Sequence, residues 1–146
     1  MLINGRCHCG NISFTLDWRP DPGEIPARAC TCSFCVKHGG VWTSCPGGSL
    51  EVRVREPGHA SRYEFGTKTA LFHVCTRCGV VPVVTSEIDG RLYAVVGVNA
   101  FTEASSITAL TWLSNTTGST TTFCGTTLNN AEPIGTAWAG SSSIST

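Results

Sequence analysis

Seven cysteines fall into three tight clusters, and that grouping limits the chain more than any other feature. The clusters are Cys7-His8-Cys9-Gly10, Cys30-Thr31-Cys32-Ser33-Phe34-Cys35 and Cys75-Thr76-Arg77-Cys78-Gly79. With Cys45 and Cys124 the total is nine in 146 residues. The number is odd, and a bond within Cys7/Cys9 or Cys30/Cys32 would close a strained small ring. A fully paired disulfide framework therefore fits poorly. Cysteine used in this way in a reducing compartment points to metal binding or catalysis.

Spacing suggests how the clusters divide. Two thiolates at the Cys7/Cys9 spacing can grip one ion only if the backbone turns, and Gly5 and Gly10 are expected to permit that turn. Cys75 and Cys78 have the two-residue spacing of a zinc knuckle, and Gly79 is expected at positive φ behind them. Joining the two pairs gives four thiolates and a closed tetrahedral site. Such a site is structural zinc, tying the start of the chain to its middle strands. Cys30, Cys32 and Cys35 are then left as a trio. Zinc sites with three protein ligands keep a position for water or substrate and are the catalytic kind. Two other readings stand beside this one. A fourth protein ligand, from His38, Cys45, His73 or Cys124, would make the second site structural and the chain a non-catalytic interaction module. A redox Cys32–Cys35 pair is the third reading, but such pairs sit at helix N-termini in βαβ surroundings. His8 reads as a spacer between ligands, and His38 as a loop residue or a proton carrier near neutral pH.

Charge excludes some partners. Lys+Arg and Asp+Glu both number 10, and charged residues make up 14% of the chain. No broad basic field is present for nucleic acid or a membrane surface. No segment approaches the ~18 consecutive apolar residues of a membrane span. "MLINGRCHCG" has no apolar run behind a basic start, so the expectation is no signal peptide and a cytoplasmic location. Asn11-Ile12-Ser13 and Asn115-Thr116-Thr117 match the glycosylation pattern and are read as chance matches.

Patterning favours strands. "NISFTL" alternates Ile12, Phe14 and Leu16 against polar neighbours, and "SLEVRV" does the same with Leu50, Val52 and Val54. "SRYEFG" and "TALFHVC" are short and rich in aromatic and branched residues. "GVVPVVTSEIDGRLYAVVGVNA" predicts two strands around an Asp89-Gly90 turn, with Pro82 at an edge or bulge. "DWRPDPGEIPAR" reads as a loop, and a short helical turn is expected after Cys32. The fold class is therefore mainly β with little helix: one domain over residues 1–106. Residues 107–146 form a Ser/Thr-rich extension, whose only charged side chain is Glu132 and which is expected to dock on the same domain.

The order C-x-C-G, C-x-C-x-x-C, C-x-x-C-G resembles the family of glutathione-dependent formaldehyde-activating enzymes, which includes centromere protein V. The segments "GRCHCGNISF", "CTCSFCVKHGGVW", "YEFGTKTALFHVCTRCG" and "YAVVGVNAF" carry the likeness, over roughly residues 3–104. The resemblance implies small coiled β-sheets in a tent-like arrangement around two zincs per chain. It places a structural zinc on Cys7, Cys9, Cys75 and Cys78 and a catalytic one on Cys30, Cys32 and Cys35. It implies carbon–sulfur lyase chemistry with glutathione, or a related small thiol, and formaldehyde or another small aldehyde, giving S-hydroxymethylglutathione. Members of this kind carry an arginine-rich helix near the C-terminus. "FCGTTLNNAEPIGTAWAG" has none, and Pro133 and Gly135 would break one. Three thiolates leave zinc with a net negative charge, and glutathione is anionic, so cations are needed nearby. Arg28, Lys37, Lys68, Arg77 and Arg91 are the candidates.

Overall fold

The computed structural model describes residues 1–103 and, by their backbone, two further strands, Leu110–Ser114 and Thr126–Leu128. The chain runs β1 (Leu2–Arg6), β2 (Ile12–Asp17), β3 (Ile25–Ala29), α1 (Cys35–His38), β4 (Val41–Thr43), β5 (Ser49–Val54), β6 (Ala60–Tyr63), β7 (Leu71–Cys75), β8 (Val83–Ile88) and β9 (Arg91–Gly97). The later pair are β10 (Leu110–Ser114) and β11 (Thr126–Leu128). No helix among the described residues is long and apolar enough to cross a membrane.

The strands form two antiparallel sheets. β1, β2 and β5 make the smaller one, with β2 in the middle. The larger follows the order β6-β7-β8-β9-β4-β3. β10 adds to it in parallel beside β3, and β11 lies between the sheets, parallel to β5 and antiparallel to β9.

The main core lies where the inner faces meet. Alternation puts Ile12, Phe14, Leu16, Leu50 and Val52 inward from the smaller sheet, against Val83, Ala94 and Val96 of the larger. Gly5 pairs with Phe14 across the strands, and a Cβ at Gly5 would fall 2.1 Å from the Phe14 ring. Glycine is thus required there for space. It does not turn the chain, contrary to the role expected for it: Gly5 lies inside β1, and Gly10, at φ +75°, makes the bend.

Most predicted strands form where expected. Asp89 and Gly90 both adopt positive φ, +50° and +72°, as a two-residue hairpin between β8 and β9 demands. Pro82 stands just ahead of β8, and its carbonyl accepts the Gly97 N–H at 2.8 Å. The loop expected over "DWRPDPGEIPAR" is corrected in its second half, where Ile25–Ala29 is β3. Ile25 and Ala27 point inward there, and Pro26 is exposed. β3 pairs with β4 only at Arg28 and Ala29, so the missing Pro26 N–H costs that ladder nothing. The extension expected over residues 107–146, its boundary at 106, Cys124, Pro133 and Gly135 lie outside the described residues apart from the two short strands.

Candidate metal centres

Two knuckles of similar design face each other across the end of the core. In the first, the Cys7 N–H donates to the Ile12 carbonyl at 2.8 Å and the Gly10 N–H to the Cys7 carbonyl at 2.9 Å. In the second, the Cys75 N–H donates to the Val80 carbonyl at 3.0 Å and the Gly79 N–H to the Cys75 carbonyl at 2.7 Å. Gly10 and Gly79 have φ of +75° and +74°, the left-handed geometry that glycine adopts without strain. The Sγ atoms of Cys7, Cys9, Cys75 and Cys78 all lie within 4.8 Å of one another. Cys7 and Cys9 are 3.7 Å apart at sulfur, and Cys9 and Cys75 are 3.4 Å apart. Tetrahedral zinc with ~2.3 Å bonds separates its sulfurs by about 3.8 Å, so the set fits such an ion. Cys7 and Cys75 are buried, while Cys9 and Cys78 are half-buried.

Asn11 secures this end of the molecule. Its Nδ2 donates to the carbonyls of Glu56 and His59 at 3.1 and 3.2 Å, and its Oδ1 accepts the Glu56 N–H at 2.8 Å. The His59 carbonyl also accepts the Thr76 N–H at 3.0 Å, so one turn, Pro57–His59, holds both knuckles. Asn11 has no exposed surface, which closes it to glycosylation in the folded chain.

The trio lies on the opposite face of the larger sheet. Cys30 directly follows β3, Cys35 opens α1, and the Sγ atoms of Cys30, Cys32 and Cys35 lie within 4.8 Å of one another. The segment is cinched by its backbone: the Cys30 N–H donates to the Gly40 carbonyl at 3.0 Å and the Gly40 N–H to the Cys35 carbonyl at 2.9 Å. Among the described residues, no fourth His, Cys, Asp or Glu belongs to this group. His73 is buried in β7 with its Nε2 2.8 Å from Thr85 Oγ1. Cys45 sits against the Arg19 carbonyl at 3.5 Å in the main core. His38 is exposed on α1, its ring 4.4 Å from that of Phe34.

Crowding of thiols sets the electrostatics. The hydrogen bond with Cys35 draws the Cys30 thiol down to about 5 against its burial, helped by the Cys32 backbone N–H and the charge of Arg28. Cys35 is pushed above the thiol range by the same hydrogen bond and by burial. In the other group, burial pushes Cys75 up to about 12. Cys78 is held near 6 despite burial, by the backbone N–H groups of Cys9 and Val80. Each group thus pairs an easily ionised sulfur with a reluctant one, an arrangement that a divalent cation relieves. Of the expected cations, Arg28 acts on the trio, whereas Arg77 pairs with Glu56 at 2.9 Å.

Aromatic rings wall the trio. Phe34 packs on Phe72 and Tyr63 with centroids 4.7 and 5.0 Å away, and Trp42 meets Phe72 edge-on at 6.3 Å. A cleft of about 310 Å³ opens beside them, lined by Phe34, His38, Gly40, Trp42, Cys78 and Asn99 among others. A larger groove, about 430 Å³, runs over β1, β2 and β5 and is lined by no cysteine, while Cys78 is the cysteine that lines the smaller cleft. Sequence reasoning missed the bonds of Trp42 and Asn11: the partners of Asn11 are distant in the chain, and no pattern marks Trp42 as a donor to Cys35.

Residues 2–115 match a family model described as glutathione-dependent formaldehyde-activating enzyme. A Halomonas elongata protein, named by inference as an enzyme of that description, is 32% identical over 85 residues. That match covers 53% of this chain and 52% of the relative, so the chain spans about half the length of that curated protein. A crystal structure of a Rhodobacter sphaeroides protein has the same fold, with a TM-score of 0.53 at 24% identity, over 75% of this chain and 99% of that one.

Proposed function

Since the chain belongs to the family of glutathione-dependent formaldehyde-activating enzymes, we propose that it joins a small thiol to a small aldehyde, with glutathione and formaldehyde as the pair. One observation carries the reading. Three cysteines converge without a fourth donor from the described residues, beside a cleft that shares Phe34, Gly40 and Trp42 with their surroundings. Cys7, Cys9, Cys75 and Cys78 would hold a zinc that only cross-links. Cys30, Cys32 and Cys35 would hold a second, which supplies the positive charge that keeps an incoming thiol ionised near neutral pH.

The remaining work falls to side chains. The thiol sulfur bonds to the aldehyde carbon, the C=O π pair moves to oxygen, and that oxygen takes up a proton, giving S-hydroxymethylglutathione. His38 lines the cleft beside Phe34 and would pass that proton. Phe34 and Trp42 exclude water and hold the two reactants together, which favours addition by proximity. Arg28 offsets the negative charge of the trio, and Lys37, exposed on α1, offers a partner to a glutathione carboxylate.

The test is metal content and coordination. The protein should bind two zincs per chain, and glutathione should change the coordination sphere of one, read by X-ray absorption. Formaldehyde should then be consumed in a thiol-dependent way. An unchanged coordination sphere at saturating glutathione would sink the enzymatic reading and favour two structural zincs.

A further inference from the structure

Thiolates that bind a metal are themselves nucleophiles and strong electron donors. Three of them on one divalent ion leave a net charge of −1, which weakens its hold on a further anionic ligand such as a thiolate. Reading the trio as a metal centre therefore raises the question of what drains charge from its sulfurs. N–H groups are the available means, because a hydrogen bond to sulfur withdraws electron density from it.

Each sulfur of the trio has such a group. The Cys32 backbone N–H acts on Cys30. The Cys35 backbone N–H donates to Cys32 Sγ at 3.3 Å. Cys35 Sγ, the most buried of the three, receives the indole Nε1–H of Trp42 at 3.4 Å. Two of these donors are main chain and come with the turn. The third is a side chain from β4, seven residues on.

Gly40 makes that third contact possible. A Cβ at this position would lie 2.9 Å from both Cys35 Cβ and Trp42 Nε1, and 3.0 Å from Cys35 Sγ. Gly40 does not adopt positive φ, so it is small for space rather than for conformation. The indole is fixed from its other side by Phe72, edge-on, and by the pairing of Trp42 with Gly97.

We propose that Trp42 is a positioning residue that tunes the trio: its indole N–H draws charge from Cys35 and so keeps a metal held there receptive to an external thiolate. The proposal rests on the trio being a metal centre. Trp42→Phe retains a ring and deletes the N–H, and cobalt(II) makes both sites visible. The wild-type chain should take up two cobalts. In the variant, the sulfur-to-cobalt charge-transfer band of one of them should move to longer wavelength, because a more electron-rich sulfur is easier to oxidise. The affinity of that cobalt for added glutathione should fall about tenfold, the effect of one charge-assisted hydrogen bond.

Two cobalts with unchanged bands and unchanged thiol affinity would overturn the role of Trp42 while leaving the metal centre standing. Uptake of a single cobalt by the wild-type chain would sink the metal reading of the trio and this proposal with it. If the variant does not fold, the wild-type protein answers instead. In ¹⁵N-labelled protein the Trp42 indole resonance should move on cadmium loading, and a resonance indifferent to the metal would overturn the proposal.

Discussion

Replacing Asn11 by alanine removes three hydrogen bonds of a fully buried side chain and takes the Glu56 N–H's acceptor away, while the Glu56 and His59 carbonyls keep the N–H groups of His59 and Thr76. The expected cost is about 2–3 kcal/mol, read from the urea midpoint. Zinc should also leave the four-cysteine site faster, because the shared Pro57–His59 turn loses one knuckle. His73 gives a second residue-level prediction, in pH. Burial, with some help from the Arg62 charge, lowers its pKa from 6.5 to about 4. The unfolded chain thus binds the proton more readily. Stability is complete above pH 6.5 and declines as pH falls from 6.5 to 4, by about 3 kcal/mol. Thiolate protonation also acts in acid, so the measurement is a comparison. His73→Gln should flatten the slope of stability against pH in that window, and an equal slope in both proteins would refute the assignment.

At the scale of elements, local chemistry explains what the sequence revealed and what it hid. The half-buried strands β2 and β5 show themselves by alternation, since one face of each meets the core. The knuckles are legible because a glycine at positive φ and its neighbouring cysteines are contiguous. β3 is not, because Pro26 carries a breaker's signature into a strand whose pairing with β4 begins only at Arg28. Asn11 and Trp42 escape for another reason: Asn11 finds its partners 45 and 48 residues away, and no periodicity marks either role. Gly40→Ala tests the packing of the trio's segment directly. The added methyl collides with Cys35 and Trp42, so the variant should lose metal from the trio while the other site keeps its own, counted by zinc analysis. Retention of both zincs would show that the segment can relax around the methyl.

For the whole molecule, the two groups of sulfurs should be unequal in what they support. Cys7 and Cys75 belong to the main core between the sheets, whereas Cys35 belongs to a separate small cluster with Phe72 and Val84. Cys75→Ser should therefore destabilise the fold by more than about 4 kcal/mol. Cys35→Ser should cost only about 1–2 kcal/mol, lose one zinc of two, and abolish thiol-dependent formaldehyde consumption. Similar melting temperatures for the two variants would contradict this division. The four-cysteine knot also orders events in time. Cys9 and Cys75 are 66 positions apart, so on the ribosome an ion held by this group would not be locked until Cys78 has emerged, when β8 and β9 are still unmade. Closing that loop early leaves only the few residues after Cys78 to be ordered when the later hairpin docks on the first sheet. A cell short of zinc during translation would thus accumulate nascent chains whose first sheet has nothing to close against.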